Sequence, residues 1–193
     1  MKSFPKYVLA GLCTSALLVL SATTAQAQVL AHSGDVAGSV GYLHVSTSAV
    51  NLPSDNHPIY KIDGGYNVTP YVTVLGEWAY GPLYSMSGET VHTQIFGGGA
   101  RINLMPHKRL VPYAVFTVGD DRDTLTAEPT FSGYYFGVGG GASYFIGKHW
   151  GVRPEFRYTY AEFNIFGAND SANAVTIKGG AFYQFGGRGG SKP

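Results

Sequence analysis

The chain has 193 residues, of which 14% are aromatic and only 13% charged, and it contains 27 glycines. A soluble domain usually carries about 25% charged residues, so the composition argues against an ordinary soluble fold. Thirteen Lys and Arg, less Lys2 and Lys6, leave eleven bases against twelve acids, a balance that excludes the basic footprint of a nucleic-acid binder.

Lys2 and Lys6 precede an apolar run over 7–20, and small residues then lead to Ala25-Gln26-Ala27. A basic start, a short apolar stretch and an A-x-A site make a secretory signal, with cleavage expected after Ala27. The run is shorter than the roughly 20 residues of a helical span, which argues against an anchor. The expected divisions are a signal peptide over 1–27, a β-barrel domain over 28–185 and a flexible tail over 186–193. Cys13, the one cysteine, lies inside the signal, so the mature chain has no thiol for a disulfide, a nucleophile or a metal.

After residue 27 the chain shows almost no helical periodicity. Segments of about ten residues alternate in polarity and are split by turn residues, the pattern of a transmembrane barrel. Eight strands are expected: 36–45 (VAGSVGYLHV), 59–67 (IYKIDGGYN), 71–80 (YVTVLGEWAY), 91–103 (VHTQIFGGGARIN), 111–119 (VPYAVFTVG), 131–146 (FSGYYFGVGGGASYFI), 150–162 (WGVRPEFRYTYAE) and 174–185 (AVTIKGGAFYQF). The connectors at 68–70, 104–110 and 147–149 are short. Those at 46–58, 81–90, 120–130 and 163–173 are longer and rich in Asp, Asn, Ser, Pro and Gly. Short turns on one side and longer loops on the other place both termini in the periplasm. The fold class is therefore all-β: an eight-stranded antiparallel up-and-down transmembrane β-barrel.

Period-two alternation separates two faces in the second, third, seventh and eighth strands. Val152, Pro154, Phe156, Tyr158 and Tyr160 oppose Arg153, Glu155, Arg157 and Thr159, for example. The charged face collects Lys61, Asp63, Glu77, Arg101, Arg153, Glu155, Arg157 and Lys178. In a membrane barrel this face lines the lumen, which in eight strands is just wide enough for side chains to fill. An unpaired buried charge is very costly, so an ion-pair network is expected, with Arg101, Arg153 and Arg157 against Glu77, Glu155 and Asp63. Five bases face three acids in that set, and water or loop carboxylates must cover the excess. A plug of paired ions is favoured over a conduction path, because a lumen of this size is filled.

Tyr42, Tyr60, Trp78, Tyr80 and Tyr160 lie toward the long loops. Tyr66, Tyr71, Tyr113, Tyr144, Trp150 and Phe185 lie toward the short turns. Both sets fit the aromatic girdles of a membrane barrel. The runs Gly97-Gly98-Gly99 and Gly139-Gly140-Gly141 relieve crowding inside a tightly curved wall. No helix follows either run, which sets aside a phosphate-binding loop. The six histidines, His32, His44, His57, His92, His107 and His149, lack ligand spacing. No cofactor and no metal are expected.

Several motifs carry a family resemblance: Gly98-Gly99-Ala100-Arg101-Ile102-Asn103, Val111-Pro112-Tyr113 opening the next strand, Arg153-Pro154-Glu155-Phe156-Arg157-Tyr158, and a last strand closing in Phe182-Tyr183-Gln184-Phe185. In that order, over residues 36–185, the chain resembles the OmpA/OmpX-like eight-stranded outer-membrane barrels, including OmpW- and opacity-type surface proteins. The resemblance implies the cell outer membrane as location, outer-membrane lipid and lipopolysaccharide as surroundings, and a barrel-insertion machinery as partner. It also implies that Tyr183 and Phe185 form the terminal aromatic signal that this machinery reads, although eight residues follow Phe185 here. No peptidoglycan-binding domain is expected after the barrel.

The leading expectation is a non-enzymatic surface protein whose loops bind ligands while ion pairs fill its lumen. A small passive pore for small or apolar solutes is the alternative. A lipid A-modifying enzyme is a further one: His44 and Ser46 share a face and resemble the His-x-Ser of outer-membrane deacylases. They lie on the first strand, however, and Thr47 stands where that family has Asn. A soluble lipocalin-type barrel would need the two faces inverted.

Overall fold

The computed structural model describes residues 28–47, 56–86, 89–124, 131–165 and 168–187. Eight strands follow in chain order: β1 (Ser33–Thr47), β2 (Asn56–Asn67), β3 (Val72–Met86), β4 (Glu89–Asn103), β5 (Leu110–Thr124), β6 (Phe131–Phe145), β7 (Trp150–Ile165) and β8 (Ala168–Gly186). Each pairs antiparallel with its neighbours in sequence, and β1 pairs with β8 from Ser33↔Gly186 to Thr47↔Ala172. The sheet is thus a closed barrel in up-and-down order. Closure removes the unpaired edge that an open sheet exposes, and in lipid it lets the ladder donors and acceptors pair within the protein.

Burial alternates residue by residue around most of the wall. On β7 the odd positions 151–157 are buried and the even positions 152–158 exposed. The outward positions form an apolar band without a charged residue: Val36, Val40 and Tyr42 on β1, Tyr60, Ile62 and Tyr66 on β2, Phe116 and Val118 on β5, Val152 and Phe156 on β7. Exposure of so many large apolar side chains would be untenable in water and is what a lipid-facing wall needs. The inward positions hold the charges, as the alternation predicts.

The strands run 12 to 19 residues, longer than the 9–11 or so that cross a bilayer obliquely. The surplus lies at one end. There the wall continues through most of what composition marks as long loops, leaving 48–55, 87–88, 125–130 and 166–167 between strands. Asp, Asn, Ser and Gly read as loop formers, yet beyond the apolar band a hairpin ladder needs only its paired neighbours. Pro82 cannot donate to the ladder, and the β3–β4 register shifts between Pro82 and Tyr84 to accommodate it. At the opposite end, which carries both termini, 68–71, 104–109 and 146–149 turn the chain.

The segment before β1 closes this termini end. Val29 packs in an apolar cluster with Ala37, Val111, Phe145 and Phe182. Its amide donates to Pro106 O at 2.9 Å, and Gln184 Nε2 donates to Gln28 O at 3.2 Å. His32 takes a left-handed φ of 54° to bring the segment back under the mouth, and its amide donates to Asn67 O.

Candidate functional site

All eight lumenal charges expected from the sequence are buried, and the strands bring them together. β2 supplies Lys61 and Asp63, β3 Glu77, β4 Arg101, β7 Arg153, Glu155 and Arg157, and β8 Lys178. A ninth charge, Asp35 on β1, joins them, 3% exposed. Its position continues the inward series one step before Val36, where the sequence reading begins the strand.

The nine form one alternating chain of cation and anion. Arg101 Nη2 meets Asp35 Oδ2 at 2.5 Å, and Asp35 Oδ1 meets Arg153 Nη2 at 3.0 Å. Arg153 Nη1 lies 3.2 Å from Asp63 Oδ2, and Asp63 Oδ1 lies 3.7 Å from Lys61 Nζ. Lys61 donates to Glu77, whose other oxygen takes Arg157 Nη1 at 2.5 Å. Arg157 Nη2 meets Glu155 Oε1 at 2.8 Å, and Lys178 Nζ meets the same oxygen at 2.7 Å. Every anion thus sits between two cations, and a cation ends the chain at each side. Asp35 corrects the expected ratio of five bases to three acids: the fourth carboxylate is in the wall, not in a loop. Arg153 and Arg101 do not meet Glu77 or Glu155 directly; Asp35 and Asp63 are their partners.

Neutral groups add bonds to two of the carboxylates and to two of the guanidiniums. Tyr113 Oη donates to Glu155 Oε2 at 3.0 Å, and Tyr135 Oη donates to Glu77 Oε1 at 2.8 Å. Arg153 Nε donates to Ser143 Oγ, and Arg157 Nη1 to Thr117 Oγ1, both at 3.1 Å. The Arg153 guanidinium also stacks over the Phe182 ring at 4.6 Å. Tyr113 therefore does not belong to the girdle of the turn side. It is 3% exposed and points into the lumen, because Val111, Tyr113, Val115 and Thr117 share the inward face of β5. The other girdle residues with described side chains are outward and exposed or half-buried.

Room for these long side chains comes from small inward neighbours. A Cβ on Gly141 would approach Tyr113 Oη to 2.6 Å, and one on Gly97 would overlap the Tyr135 hydroxyl. The glycine runs thus serve the crowding role expected of them. Apolar clusters close off the charges on both sides: the Val29 cluster at the termini end, and Leu43, Ile59 and Ala79 with Val45, Ile95 and Ala174 toward the hairpins.

His44 lies on the outward face of β1 and is exposed, away from the lumenal charges. The backbone of Ser46 pairs with Asn173, and its side chain lies outside the described residues. Tyr183 and Phe185 are both outward and about half exposed at the end of β8. Ala27 and the tail beyond 187 lie outside the described residues. Among the described residues no three His, Cys, Asp or Glu side chains are grouped to hold a metal.

A family model described as the outer membrane protein beta-barrel domain matches residues 13–185. No curated sequence matches significantly. Among solved structures, Neisserial surface protein A is similar over 79% of this chain and 97% of its own, with TM-score 0.68 and 15% identity. Ail, the attachment invasion locus protein of Yersinia pestis, is similar over 81% and 100%, with TM-score 0.54 and 12% identity. The outer membrane protein OprG of Pseudomonas aeruginosa is similar over 83% and 98%, with TM-score 0.55 and 11% identity. At such identities these structures bear on the fold, and the family match spans most of the chain. The chain belongs to the outer membrane protein β-barrel domain family, as an eight-stranded barrel of the OmpA/OmpX-like type in the bacterial outer membrane.

Proposed function

We propose that this barrel is a sealed anchor, non-enzymatic and non-conducting, that presents its hairpins at the cell surface for interaction with ligands. One observation carries the reading: nine of the ten buried charges among the described residues form a single paired chain across the lumen, with apolar packing on either side. The interior of eight strands is just wide enough for side chains such as these to fill. Binding then falls to the hairpins beyond the apolar band.

The chemistry of those hairpins narrows the ligand. Asp120, Asp123, Glu89, Glu162 and Asp170 lie on strand ends at this side, and Asp55 and Glu128 fall in connectors outside the described residues; Asp121 faces inward, buried, and accepts from Thr93 Oγ1 at 2.6 Å. Arg122 is the one base, and it pairs with Asp120. Ail has been crystallised with the heparin analogue sucrose octasulfate. The acidic hairpins here favour cationic or neutral ligands over such a polyanion. Tyr183 and Phe185 serve in this reading as the signal for the insertion machinery, with Ala27 as the point of cleavage.

Cells displaying the protein should bind immobilised polylysine in a salt-sensitive manner and should not bind heparin. The triple variant Asp120→Asn, Asp123→Asn, Glu162→Gln should lose most of that binding while remaining folded on a heat-modifiability gel. Heparin binding, or polylysine binding unaffected by the substitutions, would contradict the proposal.

A further inference from the structure

Outside the lumen, the charges of the wall are sorted by end. The hairpin end holds the acids described above, whereas the rim at the termini end holds bases alone. Lys108 and Arg109 lie in the 104–109 turn and Lys148 in the 146–149 turn. Arg188 and Lys192 follow β8 in sequence, outside the described residues. The one carboxylate near this rim among the described residues is Asp35, which is buried between Arg101 and Arg153.

The two basic turns are tied to each other. Arg109 Nε donates to Phe145 O at 2.7 Å and its Nη2 to Ile146 O at 3.1 Å. Phe145 N returns a bond to Arg109 O at 2.9 Å. The Arg109 guanidinium stacks over Tyr144 at 5.3 Å. Lys108 and Lys148, both exposed, are therefore held on neighbouring, fixed turns. Directly beside them the wall exposes Leu110, Ile146 and Trp150 to the apolar phase. An indole at this depth marks the boundary between hydrocarbon and headgroups, so the lysines stand at headgroup height.

We infer that this rim is a docking surface for anionic phospholipid headgroups of the periplasmic leaflet, with Lys108 and Lys148 contacting the phosphates. The physical basis is charge complementarity at fixed depth: ammonium groups with no competing surface carboxylate, beside an acyl-chain wall. Attraction between a basic segment and an anionic leaflet acts within a Debye length and weakens with salt. The outward-facing hairpins, being acidic, repel the same headgroups. The protein thereby gains a lipid preference at one rim only.

The two tryptophans report the two ends. Trp150 lies beside Lys148, and Trp78 lies on the outward face of β3 toward the hairpins. Single-tryptophan forms, Trp78→Phe and Trp150→Phe, are reconstituted in phosphatidylcholine nanodiscs containing a minor fraction of phosphatidylglycerol brominated near the headgroup. Trp150 should be quenched as if that lipid were enriched about threefold around it. Trp78 should report the bulk fraction. Lys108→Gln with Lys148→Gln should bring Trp150 to the bulk fraction, Lys108→Arg with Lys148→Arg should keep the enrichment, and high salt should erase it. Enrichment that is absent at Trp150, equal at Trp78, or unchanged by the glutamine pair overturns the inference.

Discussion

Arg153 on β7 and Asp35 on β1 meet across the strand that separates them, Nη2 to Oδ1 at 3.0 Å. Asp35 also holds Arg101 of β4, so this single carboxylate ties the β7–β1 side of the wall to the opposite side.

Asp35→Asn should therefore be severe. It leaves two buried guanidiniums short of charge, and breaking a buried pair by removing one partner costs about 3–5 kcal/mol. Urea unfolding in detergent micelles checks this. Asp120→Asn is the control: its partner Arg122 is exposed and Asp120 itself only partly buried, and the change should stay within about 0.5 kcal/mol.

Gly97→Ala should destabilise the barrel by about 1–3 kcal/mol, since the new methyl has no space beneath the Tyr135 hydroxyl. Tyr135→Phe removes that hydroxyl, together with its bond to Glu77. The two substitutions should be non-additive, with the double variant less unstable than the sum. A double-mutant cycle measures the coupling, and strict additivity would refute the contact.

Deleting residues 28–31 should leave all eight strands intact but remove the apolar contact of Val29 with Phe145 and Phe182. The loss expected for one buried valine is about 1.5–3 kcal/mol. The truncated protein should still run as a heat-modifiable folded species, with a lowered urea midpoint.

Phe185→Ala separates assembly from stability. The ring is outward and half exposed, so refolding into detergent should change little. If the residue is read by the insertion machinery, the amount assembled in the outer membrane of living cells should fall several-fold more than refolding yield does. Equal effects in both settings would remove the signal role.

Much of this structure was legible in the sequence because the period of a strand is two and the environment on its two faces differs. Arg153-Pro154-Glu155-Phe156-Arg157 cannot be placed on a wall in any other way. Asp35 escapes the sequence because apolar alternation becomes visible only at Val36, whereas ladder pairing starts at Ser33. From sequence Tyr113 reads as outward, because a tyrosine near a strand end suits an interface equally well; the burial of Val111 and Val115 on the same face places it inward. The hairpin ends read as loops because polar residues lack the alternation that marks a strand beneath lipid. Which cation meets which anion was not legible, since pairing depends on strand stagger around the closed barrel, and alternation along one strand carries no information about that.

Single-channel recording in planar bilayers tests the central claim most directly. With the lumen closed by the chain from Arg101 to Lys178, the purified protein should insert without any conductance steps over a wide voltage range. Reproducible stepwise conductance from the folded, heat-modifiable protein would contradict the sealed lumen and restore the pore reading.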